Sequence, residues 1–452
     1  MNETTDVRFW DVRRNRSSRS MSYEVRWVVG GKQFSRTRAT KALAESFLSE
    51  LRQAAKRGEV FDTSEGLPLS MRRAKHATSW FAFVLAYVDV KWPRAAAKTR
   101  DSMTDALATV TAALVDDRPG QPDPLVVRRA LRQYALVPAA RKLPRPAEIV
   151  AALGWLDRAS LPVVELEKPR NVRAALDALT FCLDGTAAAA TTIRRKRAVF
   201  HNVLGYAAEL EELSANPLDR VKRKPPKVAE VVDRRVVVNP GQARELLIAV
   251  TYVGRPWRGR HLRAFFACMY FAALRPGEVK ALRKDGCCLP VSGWGRLTLS
   301  RSRPQANKRW TDSGEGFDDR GLKHRADDDT RSVPIPPELV MILREHIEEF
   351  GTAAHGRLFR TATGGMIYDH TATWAAARTF ALTPEQVASP MAGRPYDLRH
   401  GAVSLWLNGG VAVTEVADRA GHSVEVLLRV YAKCIDGGEE IANRRIDKAL
   451  AA

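Results

Sequence analysis

Arg394-Pro395-Tyr396-Asp397-Leu398-Arg399-His400 leads straight into an apolar helical stretch over 401–407. This order puts Arg399 at a helix start, where free backbone N–H groups already attract anions. Three further motifs flank it. Upstream, Ala273-Leu274-Arg275-Pro276-Gly277-Glu278 ends an apolar helix on Arg275 and places Glu278 where the next helix begins, within reach of the guanidinium. Between the two, Gly321-Leu322-Lys323-His324 reads as a hairpin turn that feeds a strand over 330–335, so Lys323 is a flexible cation on a turn. Downstream comes Ala420-Gly421-His422-Ser423, with His422 23 residues after Arg399 and Tyr431 nine residues after His422. Each motif alone has an ordinary explanation: a helix end with a salt bridge, a solvated turn lysine, a helix-turn-helix. Together they supply two guanidinium forks, an ammonium, an imidazole and a phenol, a set suited to an anionic substrate.

Around these motifs the hydrophobic pattern is mixed. It predicts helices over 241–252, 261–273, 337–350, 371–380, 402–407, 413–420 and 424–430, and strands over 296–301 and 330–335. Val221-Lys222-Arg223-Lys224-Pro225-Pro226-Lys227 has no periodicity and its prolines forbid a continuing helix, so it reads as a basic linker. Residues from about 75 to 220 read as wholly helical. The last helix there starts at Thr191 or Thr192 and opens with Arg194-Arg195-Lys196-Arg197. Cations at a helix start oppose the macrodipole, a placement that an anionic partner would relieve.

The first 60 residues read as strands followed by a helix. A strand over 7–12 precedes an alternating one over 22–29, with Tyr23, Val25, Trp27 and Val29 on one face. Gly30-Gly31 turns the chain and 32–38 returns. Thr40 caps a helix over 41–57 whose Leu43, Phe47, Leu48, Leu51 and Ala55 share a face. The exposed faces carry Arg13, Arg14, Arg16, Arg19, Lys32, Arg36 and Arg38, and a basic three-stranded sheet can lie in a major groove. The expected fold class is multi-domain and mainly α with small β-sheets. It comprises an N-terminal three-stranded sheet plus helix over 1–62, a helical domain over 75–222 and a mixed α/β domain over 236–452.

A chain of 452 residues has room for about three domains at roughly 150 residues each. Lys and Arg number 72 against 51 Asp and Glu, a net charge of +21. A field of that sign attracts a polyanion and releases its counterions, which points to nucleic acid. The five cysteines are odd in number and form no C-x-x-C pair, which argues against a disulfide framework or a zinc site and for a reducing compartment. No signal-peptide pattern opens the chain, and the longest apolar run, 265–274, is too short to span a bilayer. A cytoplasmic protein without a membrane partner is expected. Without a Gly-rich phosphate loop or a carboxylate cluster suited to magnesium, neither cofactor nor metal is expected.

In order, spacing and local structure the four motifs resemble the Arg, Lys, His-x-x-Arg, His/Trp and Tyr boxes of the tyrosine recombinase (phage integrase) family. The resemblance is strong over roughly 236–440. Upstream segments match only in layout, resembling the arm-binding and core-binding domains of integrases. It implies that Arg275, Lys323, Arg399, His422 and Tyr431 are catalytic and that Glu278, Tyr396 and His400 support them. Arg194, Arg195, Lys196, Arg197, Lys222, Arg223 and Lys224 become candidate DNA-binding residues. Tyr396 stands where the family has His. A phenol can hydrogen-bond a phosphate oxygen but is a poor proton shuttle at neutral pH.

By the same resemblance, Tyr431 attacks a DNA phosphodiester, leaving a 3′-phosphotyrosyl link and a 5′ hydroxyl that Lys323 protonates. Strands then exchange through a Holliday junction. The implied partners are double-stranded DNA attachment sites, a homotetramer assembled on them and a directionality factor, in the integration or excision of a phage or other mobile element. A helix over 441–450 would pack on a neighbouring subunit. Forming the phenolate at neutral pH costs roughly 4 kcal/mol, which the surrounding cations are expected to reduce. The alternative is a non-catalytic helix-turn-helix regulator built on 413–423.

Overall fold

The computed structural model describes residues 3–15, 21–71, 78–222, 224, 226–227, 231–323, 325–326, 329–431, 434, 443–444, 446–447 and 449–451. Arg16, Arg19, Arg223, His324 and, within the expected 441–450 helix, Ile441, Ala442, Arg445 and Lys448 lie outside the described residues, while the other six positions of that helix are helical. The chain divides into two compact units, Met1–Ala95 with Thr99–Lys227 and Ala96–Lys98 with Val228–Ala452. The architecture is mainly helical with small sheets.

In the first unit, Val7–Phe9 and Arg13–Asn15 both pair antiparallel with Ser22–Val29, whose other edge takes Lys32–Arg38. Four strands thus occupy three positions, and the expected 7–12 strand is broken. From Phe9 to Arg13 is four steps, but their partners Trp27 and Glu24 are three apart, so one extra residue bulges the edge. Thr40 accepts a hydrogen bond from the Leu43 N–H and starts the helix Lys41–Lys56. That helix buries Ala44, Phe47, Leu48, Leu51 and Ala54 in a core shared with Val25, Trp27 and Val29. Leu43, in the first turn of the helix, is instead exposed.

A second core in this unit gathers Trp80, Val84, Leu107, Leu131, Leu156, Phe200 and Leu204 from several helices. The last helix, Ala190–Glu209, begins earlier than expected, so Arg194 to Arg197 fall in its second turn, clear of the strongest dipole field. Lys196 is the clearest departure from expectation. It is buried, with its ammonium 3.3 Å from the Asp105 carboxylate, which also takes Arg128 at 2.5 Å. Burial alone would raise the Asp105 pKa, but Lys196 and Arg128 outweigh it and hold it low. Lys196 therefore pins helices together instead of facing a ligand. Arg194, Arg195, Lys222 and Lys224 are exposed.

In the second unit the helix Pro256–Phe271 is surrounded by apolar side chains. Its Leu262, Phe265, Phe266 and Met269 pack with Leu246, Val250, Leu339, Leu343 and Trp374. A three-stranded antiparallel sheet, ordered Arg331–Ile335, Gly295–Leu299, Cys287–Cys288, closes one side of this core. A smaller core joins Ala273, Ala402, Val403, Val416, Ala420, Leu427 and Tyr431. It packs the helices Asp397–Asn408, Val413–Ala420 and Val424–Tyr431 against the end of the central helix. Among the described residues no helix is long and apolar enough to cross a membrane.

Candidate active site

The site begins where the central helix stops. Ala273 adopts φ +49, sparsely populated for a residue with a side chain, and turns the chain so that Arg275 precedes the helix Pro276–Ala281. Glu278, in that helix's first turn, accepts from the Arg275 backbone N–H and from Arg275 Nη1, both at 2.8 Å. Its carboxylate is buried and also receives Arg331, Nη1 at 3.1 Å and Nη2 at 2.7 Å. One acid thus orients two guanidinium groups. Burial alone would raise the Glu278 pKa, but Arg331, then Arg275 and Arg399, pull it down to about 2.

Arg275 Nη2 donates to the Gly421 carbonyl at 2.7 Å. Gly421 ends the helix Val413–Ala420 in the left-handed region, φ 64 and ψ 47, and a β-carbon there would collide with Arg331 Nη1. Gly421→Ala is therefore expected to displace both arginines. Urea unfolding should show a loss of about 1–3 kcal/mol, the range for strained or overpacked sites, and wild-type stability would contradict the packing described.

Arg399 is fully buried in the first turn of Asp397–Asn408. Its two terminal nitrogens donate to the carbonyls of Ala273 and Ala420, and Nη2 also lies 2.7 Å from His422 Nε2. A guanidinium only donates, so His422 Nε2 must accept, which assigns the imidazole proton to Nδ1. Among the described residues that Nδ1 is buried and meets no partner. Burial, then Arg399, Arg275 and Arg331, lower the His422 pKa to about 3, so the ring is neutral. Burial and the neighbouring Arg275 also lower the Arg399 pKa, but a guanidinium stays charged.

Tyr431 closes the cluster from the end of Val424–Tyr431. It is fully buried, and its hydroxyl lies 2.9 Å from His400 Nδ1. Its ring centroid is 6.1 Å from that of His422. Contrary to expectation, its pKa is raised. Burial dominates, and Arg399 offsets only part of it. His400 is pushed down to about 4 by burial, then by Arg399 and Arg394. Tyr396 lies beside this group, its ring tilted against His400 at 5.2 Å and its centroid 5.9 Å from Arg399 Cζ.

Direct contacts thus join Arg275, Glu278, Arg399, His422, Gly421, Tyr431, His400 and Tyr396. Lys323 sits exposed on its turn and lines, with Arg275, Glu278, Lys280, Arg320 and His370, a cleft of about 310 Å³. Sequence reasoning missed Arg331. The signal was present, since Arg331, Val333 and Ile335 alternate with Ser332 and Pro334 and share the strand's buried face. Among the described residues no group of three or more His, Cys, Asp or Glu is placed to hold a metal ion.

No protein-family model matches the chain, and no curated protein matches it. Among solved structures it is similar to the Tn1549 transposon integrase in complex with a circular intermediate DNA. Identity there is 14% and the TM-score 0.48, covering 71% of this chain and 99% of that one. It is also similar to the XerH site-specific recombinase bound to a palindromic difH substrate, at 12% identity and TM-score 0.44, covering 76% and 94%. The catalytic domain of bacteriophage HP1 integrase aligns at 18% identity and TM-score 0.28, covering 46% and 94%.

Proposed function

We propose that the chain is a tyrosine-type site-specific DNA recombinase, an integrase that cuts and rejoins double-stranded attachment sites during integration or excision of a mobile element. The observation that carries this reading is the gathering of Arg275, Arg399 and His422 around one buried phenol, Tyr431, in a chain of net charge +21. A phosphodiester repels nucleophiles, and charge builds on its non-bridging oxygens during attack. Arg275, Arg399 and the His422 N–H supply donors for that charge once bound DNA opens the enclosed Tyr431 and Arg399 to the phosphate. Attack by Tyr431 gives a 3′-phosphotyrosyl link, and Lys323, from the cleft it shares with Arg275, protonates the departing 5′ oxygen. The link conserves the energy of the broken bond, so resealing requires no nucleotide hydrolysis.

The first unit would clamp and address the DNA through Arg194, Arg195, Arg197, Lys222 and Lys224, and a homotetramer would pair two sites. The protein should be incubated with a pool of randomised duplexes, each carrying a nick that lets the cleaved end diffuse away. Without ATP and with EDTA present, an SDS-resistant protein–DNA adduct is expected. Sequence-selective binding with no adduct would overturn the enzyme reading and favour a regulator that uses Val413–Ala420 and Val424–Tyr431 as a helix-turn-helix.

A further inference from the structure

We propose that His400 is the general base that takes the proton from Tyr431. The inference rests on the recombinase reading above and assigns a step that reading leaves open, namely where the phenolic proton goes. The hydroxyl lies 2.9 Å from His400 Nδ1, and among the described residues this is its one hydrogen bond. None of the other groups nearby is placed to take the proton, and Cys434, which also acts on Tyr431, turns its thiol to the Val232 carbonyl. Arg275 and Arg399 are donors only. The accepting nitrogen of His422 is already turned to Arg399 at 2.7 Å, and its other nitrogen carries the proton. Tyr396 packs its ring against His400 and is a phenol of the same kind as the group to be deprotonated.

His400 thus has its lone pair on Nδ1, aimed at the nucleophile, and its proton on Nε2. The groups facing it are Arg394, Tyr396 and Arg399 from its own segment, His422 from the turn after Val413–Ala420, and Tyr431 from the last helix. Burial, then Arg399 and Arg394, keep the imidazole unprotonated at neutral pH, which is the form a base requires. An anionic phosphodiester bound by Arg275 and Arg399 would oppose their field and make His400 more basic as the reaction begins. The Tyr431 Oη–P bond forms and the P–O5′ bond breaks. The phenolic proton moves to His400 Nδ1, and a proton from the Lys323 ammonium moves to the 5′ oxygen. On rejoining, the 5′ hydroxyl returns its proton to the Lys323 amine as the O5′–P bond forms, the Tyr431 Oη–P bond breaks, and the imidazolium returns its proton to the departing phenolate.

The test uses the full chain and a nicked duplex that traps the wild-type adduct. His400→Ala should bind that duplex within a few-fold of wild type and form adduct about 10²–10⁴-fold more slowly, the usual span for a lost general base. Added imidazole should restore part of the rate, rising with the free-base fraction of the buffer. His400→Gln, which keeps a hydrogen-bonding side chain without a base, should stay slow. A His400→Gln rate near wild type, or no imidazole response in a folded, DNA-binding His400→Ala, would overturn the base assignment while leaving the recombinase reading intact. Absence of an adduct with the wild-type chain would overturn both. Should His400→Ala not fold, ¹⁵N-histidine NMR of the wild type decides the point. An unprotonated Nδ1 supports the assignment, and an N–H at Nδ1 overturns it.

Discussion

Glu278→Ala is expected to be the most destabilising single substitution in the site, by about 3–5 kcal/mol in urea unfolding, the usual result of removing one partner from a buried ion pair. Arg331 is almost wholly enclosed, and its guanidinium is held by both oxygens of Glu278. Removing the carboxylate leaves that charge buried without a counter-ion and frees Arg275 from its guide at 2.8 Å. The pH dependence follows from the direction of the shift. The folded pKa, about 2, lies below the unfolded value of about 4.3, so the contribution is present above the unfolded pKa and is lost as pH falls through the folded one. Two units correspond to roughly 3 kcal/mol. The stability gap between wild type and Glu278→Gln should therefore narrow between about pH 5 and pH 2. A gap that stays constant over that window would contradict the ionised, two-arginine arrangement.

Arg399→Lys is expected to lower the rate of adduct formation by about 10²–10³-fold, the range for loss of one fixed transition-state donor, while changing DNA affinity only a few-fold. The charge survives, but the planar fork does not. In the wild type that fork ties together Ala273, Ala420 and His422, three points on two segments, the end of the central helix and the end of Val413–Ala420 with its turn. An ammonium cannot hold all three at those angles, and His422 would lose the partner that fixes its tautomer. Single-turnover cleavage of a nicked duplex measures the rate and a filter-binding titration measures affinity. A loss of affinity with the saturated single-turnover rate unchanged would assign Arg399 to ground-state binding instead.

Much of this was legible in the sequence because the informative residues are local. Helix starts and stops announce themselves, so the elements carrying Arg275, Arg399, His422 and Tyr431 fall within a few residues of where periodicity puts them. Charge was read less well. Lys196 sits in a basic run, but the helical period turns it inward to Asp105, and nothing in residues 194–197 names a partner nearly a hundred positions away. Arg331 was passed over for the converse reason, since an arginine at a strand start looks solvated until its alternation with Val333 and Ile335 is followed inward. The Tyr431 pKa depended on a balance that motifs do not contain. Arginine neighbours were foreseeable, but full enclosure between Ala402, Val416 and Leu427 was not, and enclosure dominates.

The central claim is that Tyr431 becomes covalently joined to DNA. After trapping on a nicked duplex, exhaustive nuclease digestion and proteolysis, mass spectrometry of the peptides should find a 3′-linked nucleotide on Tyr431. The Tyr431→Phe protein, bound to the same duplex, should carry none. A nucleotide on any other residue, or an adduct that persists in Tyr431→Phe, would contradict the account.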